Sequence, residues 1–205
     1  VRKLSSGSDH TFVFTDVNES EGVSRLDITD REAVRSMTDG ADVIINCAAY
    51  TTVEQAESNP DLAELLNATA VANLAAAAKS VDATLFHIST DYVFGGNLDI
   101  SKDYKEDDEK APVTAYGKTK LHGEEQIEAN TDKYYIFRTA WLYGINGKNF
   151  PKTMLELAEN HDEVKVVYDG YSSLSGSNND FSKKNYCQDG ISFLKSRSCS
   201  LTAET

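Results

Sequence analysis

Short apolar runs recur along the chain, and between them lie stretches whose apolar residues return every three or four positions. The run TFVFT at 11–15 is β-branched and aromatic and ends at Asp16, which predicts a strand with an acidic tip. Residues 23–26 predict a second, shorter strand, after which Thr29 and Glu32 match a capping box opening a helix. DVIINC at 42–47 is continuously apolar, the pattern of a strand buried on both faces of a parallel sheet. Asn59, Pro60 and Asp61 then supply an N-cap, a first-turn proline and an acidic first turn. Leu62, Leu66, Ala70, Leu74 and Ala78 continue that helix along one stripe. Further strands are predicted at 83–89, 134–139 and 164–168, with helices at 114–129 and 150–160.

Strands alternating with helices imply parallel βαβ units, hence an α/β fold with a doubly wound parallel sheet. Ligands in such sheets sit at the carboxyl ends of the strands. Asp16, Asp27, Asn46 to Tyr50, Thr90 and the stretch from Thr139 to Tyr143 all fall at or just beyond such ends. The pattern stops after Gly170. Residues 171–205 are rich in serine and show no apolar period, so the expectation is one domain over 1–170 and a poorly ordered tail over 171–205.

Candidate chemistry centres on TAYGKTKLHGEE at 114–125. Tyr116 and Lys120 stand four residues apart, one turn apart on the same face of a helix. A cation beside a phenol favours the phenolate, so a lowered pKa is expected for Tyr116. Upstream, HISTDYVFG at 87–95 reads as a strand ending in Ser89, Thr90 and Asp91. A hydroxyl at a strand end followed by a helix bearing Tyr and Lys is the arrangement of a carbonyl reductase.

The net charge of −13 argues against a nucleic-acid or acidic-membrane surface. No apolar run is long enough to span a bilayer, and no signal peptide opens the sequence. The three cysteines are odd in number and lack metal-ligand spacing, and the four histidines lack it as well. A cytoplasmic protein without a metal centre is expected.

Several stretches together, LDITD (26–30), NCAAYTTVEQAE (46–57), LNATAVANLA (66–75), ISTDYVFGG (88–96), PVTAYGKTKLHGEE (112–125) and RTAWLYG (138–144), carry a resemblance. Over roughly its first 170 residues the chain resembles the extended short-chain dehydrogenase/reductases, most closely their dTDP-4-dehydrorhamnose reductase branch. The resemblance implies a Rossmann-like domain that binds NADPH or NADH and reduces the 4-keto group of a dTDP-sugar. It implies Tyr116 as proton donor, Lys120 as the ribose-holding and pKa-setting cation, and Thr90 as a hydrogen-bonding partner of the reacting oxygen. Asn46, Ala48, Ala49 and Tyr50 are implied to line the cofactor, with Asp91, Tyr92 and Trp141 toward the substrate. Trp141 is either a sugar-stacking residue or a core aromatic, and the surrounding motif favours the first. Asn67 is implied to support a relay water, or it back-bonds its own turn. Asp27 and Ile28 are implied to frame the adenine, although Asp27 also fits a helix-side charge. Asp16 fits an adenosine ribose. A homodimer and Mg2+ come with the resemblance alone.

Two departures stand out. The family's G-x-x-G-x-x-G loop does not occur in the sequence, because Val1 falls where the first helix of the family ends. The stretch after Asp169 lacks the family's Gly-Thr-Pro motif and substrate domain. The fold is thus expected to be incomplete at the N-terminus and cofactor binding weak. An epimerase or dehydratase, or a non-catalytic regulatory module of the same fold, are the alternatives.

Overall fold

The computed structural model describes residues 5–95, 104–140, 142 and 149–160. The expected strand at 164–168, the tail at 171–205 and Trp141 lie outside the described residues.

Among the described residues, five parallel strands form two sheets. Strand β1 (Thr15–Asp16) pairs with β2 (Ser24–Arg25), while β3 (Val43–Asn46), β4 (Thr84–Thr90) and β5 (Tyr134–Thr139) form the larger sheet in the order β3-β4-β5. The described residues include the helices α1 (Arg31–Met37), α2 (Val53–Ser58), α3 (Pro60–Glu64), α4 (Ala70–Ser80), α5 (Ala115–Asn130) and α6 (Phe150–Asn160). A π turn, Leu65–Thr69, joins α3 to α4, and a 3-10 turn, Asp91–Phe94, follows β4. The parallel α/β architecture is the one the strand–helix alternation implies.

The register decides which residues face the helices. Asn46, His87 and Ile136 lie side by side across the larger sheet, as do Ser89 and Arg138. Successive side chains on a strand point to opposite faces. Leu85 and Ile136 therefore pack with Val71, Ala75, Ala78 and Ala83 and with Ile127 of α5 in one core. On the other face Phe86 stacks on Tyr135 and Phe137, at 4.9 and 5.8 Å between centroids. A second core joins Leu26 and Val34 to Leu74 and Ala77, holding α1 against α4.

Several local expectations are corrected. Of the run at 11–15 only Thr15 enters a ladder, together with Asp16, and Phe12 and Val13 are exposed. The first helix is capped by Asp30, not Thr29. Asp30 Oδ1 accepts from the Glu32 and Ala33 N–H groups at 3.0 Å each, while the Thr29 hydroxyl donates to Asp27 Oδ1 at 2.7 Å. β3 is not buried on both faces. Ile44 packs into both cores, but Val43 and Ile45 are about half exposed, because the described residues cover only the helix side of this edge strand. The helix expected from Pro60 is interrupted by the π turn, and Leu62, before the interruption, is off the buried stripe at 44% exposure. Asn59 makes no side-chain cap bond. Its Nδ2 donates instead to Gln55 O at 3.2 Å, closing α2.

Candidate active site

Helix α5 carries the central side chains because its start is fixed. The Thr114 hydroxyl accepts from the Gly117 N–H at 3.0 Å, and Glu57 accepts from the Ala115 N–H at 2.6 Å, satisfying two first-turn donors. Two glycines let α5 lie close to its neighbours. A Cβ at Gly117 would collide with the Tyr92 carbonyl, and one at Gly123 with the Asn67 carbonyl. Tyr116, Lys120 and Glu124 then follow one another at four-residue spacing.

Tyr116 meets the tip of β4. Its phenol is hydrogen-bonded with Thr90, and its ring meets Tyr92 edge-on at 5.6 Å between centroids. Thr90 Oγ1 also donates to Asp91 Oδ1 at 3.1 Å and accepts from the Tyr92 N–H at 3.3 Å. Burial raises the Tyr116 pKa above its ordinary value; Thr90 opposes the shift, and Asp91 and Tyr92 add to it. The expected lowering is therefore corrected. Lys120 does not point at the phenol. Nζ donates to Ile88 O at 2.7 Å and meets His87 Nε2 at 3.2 Å, so the amine is held below the tip of β4. Burial pulls Lys120 down to about 8, with Glu124 opposing.

Beneath this pair lies a polar layer. His87, fully buried, sits between Lys120 and Asn46, whose Nδ2 is 3.0 Å from His87 Nδ1. Burial first, and Lys120 second, hold the imidazole pKa well below its ordinary value, so it is neutral. Asn46 Oδ1 accepts from the Ala48 N–H at 3.0 Å. Asn67 does not back-bond its own turn. Its Oδ1 accepts from the Tyr50 N–H at 2.8 Å, and its Nδ2 donates to Tyr50 O and to Thr119 Oγ1 at 3.1 Å each. The segment from Ala48 to Tyr50 is thus pinned at both ends by buried asparagines.

One turn further along α5, Glu124 takes a bidentate ion pair from Arg138, with Nη2 at 2.7 Å and Nε at 2.9 Å, and a 2.5 Å bond from the Ser89 hydroxyl. Arg138 Nη1 donates to Glu106 O at 3.0 Å, and its guanidinium lies over Phe94 at 5.0 Å. Neither charge was singled out from the sequence. Glu124 sits four residues after Lys120 on the same face, and that spacing was the available signal.

The adenine-side candidates lie elsewhere. Asp16 caps its own turn through Asn18, and Asp27 is exposed, with its pKa lowered by the Thr29 hydroxyl and then the Thr29 N–H. Asn73 of α4 donates to Ile28 O and Thr29 O at 3.1 and 3.2 Å, fixing this turn against the helix. Among the described residues no group of three or more His, Cys, Asp or Glu could hold a metal ion, and no helix is long and apolar enough to cross a membrane.

A parallel sheet whose strand tip presents a hydroxyl to a helical Tyr, with Lys one turn on, defines a Rossmann-like domain of the short-chain dehydrogenase/reductase type. The RmlD substrate binding domain family matches residues 1–173, and the chain belongs to that family. Among curated proteins it is 48% identical over 151 residues to a dTDP-4-dehydrorhamnose reductase of Mycolicibacterium smegmatis, covering 73% of this chain and 46% of that one. A protein of the same name from Salmonella typhimurium is 47% identical over 146 residues, covering 71% and 48%. The chain spans about half the length of these curated relatives. A crystal structure of a dTDP-4-dehydrorhamnose reductase from Clostridium acetobutylicum superposes with a TM-score of 0.67 at 45% identity, covering 77% of this chain and 62% of that one. One from Bacillus anthracis, in complex with NADP, gives 0.66 at 37% identity, covering 74% and 60%.

Proposed function

We propose that the chain is the nucleotide-binding and catalytic part of an NADPH-dependent reductase that converts the 4-keto group of dTDP-4-dehydro-L-rhamnose to the alcohol of dTDP-L-rhamnose. The observation that carries the reading is the meeting of Tyr116 and Thr90 at the tip of β4, with Lys120 one turn along α5. The relatives named above support the substrate, and the NADP complex of the Bacillus anthracis relative supports a nicotinamide dinucleotide cofactor, NADPH or NADH.

The residues present fit the nicotinamide end of such a cofactor. The Ala48–Tyr50 segment is a backbone surface held still by Asn46 and Asn67, and Asn46 links it through His87 to the buried Lys120 amine. When bound, the reduced nicotinamide supplies the hydride. Tyr116 gives its proton to the keto oxygen as charge develops there. Its raised pKa suits that role, because the phenol is fully protonated at neutral pH. Thr90 holds the same oxygen and steadies the developing alkoxide. Lys120 binds the nicotinamide ribose hydroxyls. Asn46, Ala48, Ala49 and Tyr50 border that ribose, with Asn67 holding Tyr50 in place. Asp27 and Ile28 are assigned to the adenine, Asp16 to its ribose, and Asp91, Tyr92 and Trp141 to binding of the sugar. Homodimerisation and a Mg2+ requirement belong to the same reading.

The test is consumption of NADPH by the natural protein on adding dTDP-4-dehydro-L-rhamnose. One equivalent should be consumed per product, and Tyr116→Phe should lower turnover by about two to four powers of ten with little change in cofactor binding. Product without NADPH consumption would instead identify an epimerase or dehydratase.

A further inference from the structure

The buried polar layer is a single hydrogen-bonded chain whose directions can be assigned atom by atom. The Ala48 N–H donates to Asn46 Oδ1, which fixes the amide, since the opposite rotamer would set an NH2 against that N–H. Nδ2 then faces His87 Nδ1, and an NH2 can only donate, so Nδ1 carries no proton. The imidazole is neutral, hence its one proton is on Nε2, which lies 3.2 Å from Lys120 Nζ. An N–H donates, so Nζ accepts and must offer a lone pair. The arrangement is that of Lys120 as a neutral amine, which donates its own proton to Ile88 O.

An ammonium has no lone pair. Charging Lys120 requires a bare Nε2, the imidazole proton on Nδ1, and the Asn46 amide turned so that Oδ1 accepts it. That turn removes Oδ1 from the Ala48 N–H. The proton count balances: one proton enters Lys120 from solvent, and the imidazole loses one at Nε2 and regains one at Nδ1. We propose that Asn46 and His87 are positioning residues that couple the charge of Lys120 to the release of the Ala48 N–H on the candidate cofactor segment. A ligand oxygen that accepts from Ala48 is then recruited together with a cationic Lys120.

The groups around Lys120 are few. Glu124, on its own helix, favours the cation but is tied to Arg138 of β5 and Ser89 of β4. His87 stands on β4, and β3 contributes the uncharged Asn46. Asp91 and Tyr92 lie just past the tip of β4, where both bear on the Tyr116 phenol of α5. Glu57 of α2 holds the Ala115 N–H, and Glu64 of α3 pairs with the exposed His122.

The inference rests on the reductase reading only in placing Ala48 beside a cofactor, and its test uses neither cofactor nor substrate, so the two fail separately. Nitrogen NMR of the 205-residue chain with labelled histidine, and with His10, His122 and His161 replaced by Gln, reports the one remaining imidazole. Titrated between about pH 6 and 10, His87 should pass from the Nδ1–H to the Nε2–H tautomer as pH rises through the Lys120 pKa. The Ala48 amide signal should move with the same midpoint. In Asn46→Asp the carboxylate accepts from both neighbours, so Nδ1–H should persist throughout. A tautomer that does not change with pH in the chain with Asn46 intact, or an Ala48 signal that ignores the change, overturns the proposal.

Discussion

Asn67 and Tyr50 hold each other by two hydrogen bonds, Tyr50 N–H to Asn67 Oδ1 at 2.8 Å and Asn67 Nδ2 to Tyr50 O at 3.1 Å. The side-chain amide thus pairs with both backbone polar groups of Tyr50. Asn67→Ala should lower unfolding free energy by about 1–3 kcal/mol, because polar groups of Tyr50 and Thr119 lose their partner. Urea denaturation measures it, and a change within 0.5 kcal/mol, roughly the size of a neutral surface substitution, would leave Asn67 without this role.

Gly123 is where α5 touches the Asn67 carbonyl. In an exposed helix Gly→Ala gains up to about 1 kcal/mol from propensity. Here the added methyl should cost about 1–3 kcal/mol net, since backbone must yield to it. A higher melting temperature for Gly123→Ala would show that the two helical segments are not held this closely.

The Glu124–Arg138 pair is buried, with each side chain 2% exposed. Removing one partner strands the other charge, so Arg138→Met should cost about 3–5 kcal/mol. Replacing both, as Glu124→Leu with Arg138→Met, should recover most of that loss. Equal stability of the single and double variants in chemical denaturation would count against a fully desolvated pair.

The pH dependence of stability carries a sign. The Lys120 pKa is about 8 when folded against 10.5 ordinarily, so between those values the unfolded chain binds more protons and stability rises with pH. Below pH 8 the burial penalty is paid in full, about 3 kcal/mol by the size of the shift. The unfolding free energy of the chain relative to Lys120→Met should therefore climb by about that amount from neutral pH to pH 10.5. A flat difference would mean that Lys120 titrates normally.

The strands expected at 134–139 and 83–89, found at 134–139 and 84–90, and the helices expected at 114–129 and 150–160, found at 115–130 and 150–160, were legible from their apolar runs and from the alternation of strand and helix. The Tyr116–Thr90 meeting was legible for a different reason: strand tips and the helices that follow them converge in any parallel α/β sheet. What Lys120 touches was not. Spacing puts Lys120 on the face of Tyr116, but the side chain's length let it reach Ile88 O and His87 instead. His87 showed only that it lacks metal-ligand spacing, since its partners Asn46 and Lys120 are 41 and 33 residues away in sequence. β3 misled because DVIINC shows that a strand is apolar, not how many of its faces are covered.

The π turn between α3 and α4 has a consequence for how the chain tolerates deletion. One residue more per turn than an α-helix advances everything beyond it by about 100°, and α4 presents Val71, Leu74, Ala75 and Ala78 to the core in that advanced phase. Excision of any single residue from Leu65–Thr69 would let the turn relax into ordinary helix. It would also swing Asn67 off Tyr50 or rotate the alanine face of α4 off the sheet. Substitutions along α3 and α4 can be absorbed one at a time, but the number of residues in this turn cannot vary, so length polymorphism among functional sequences should be absent here.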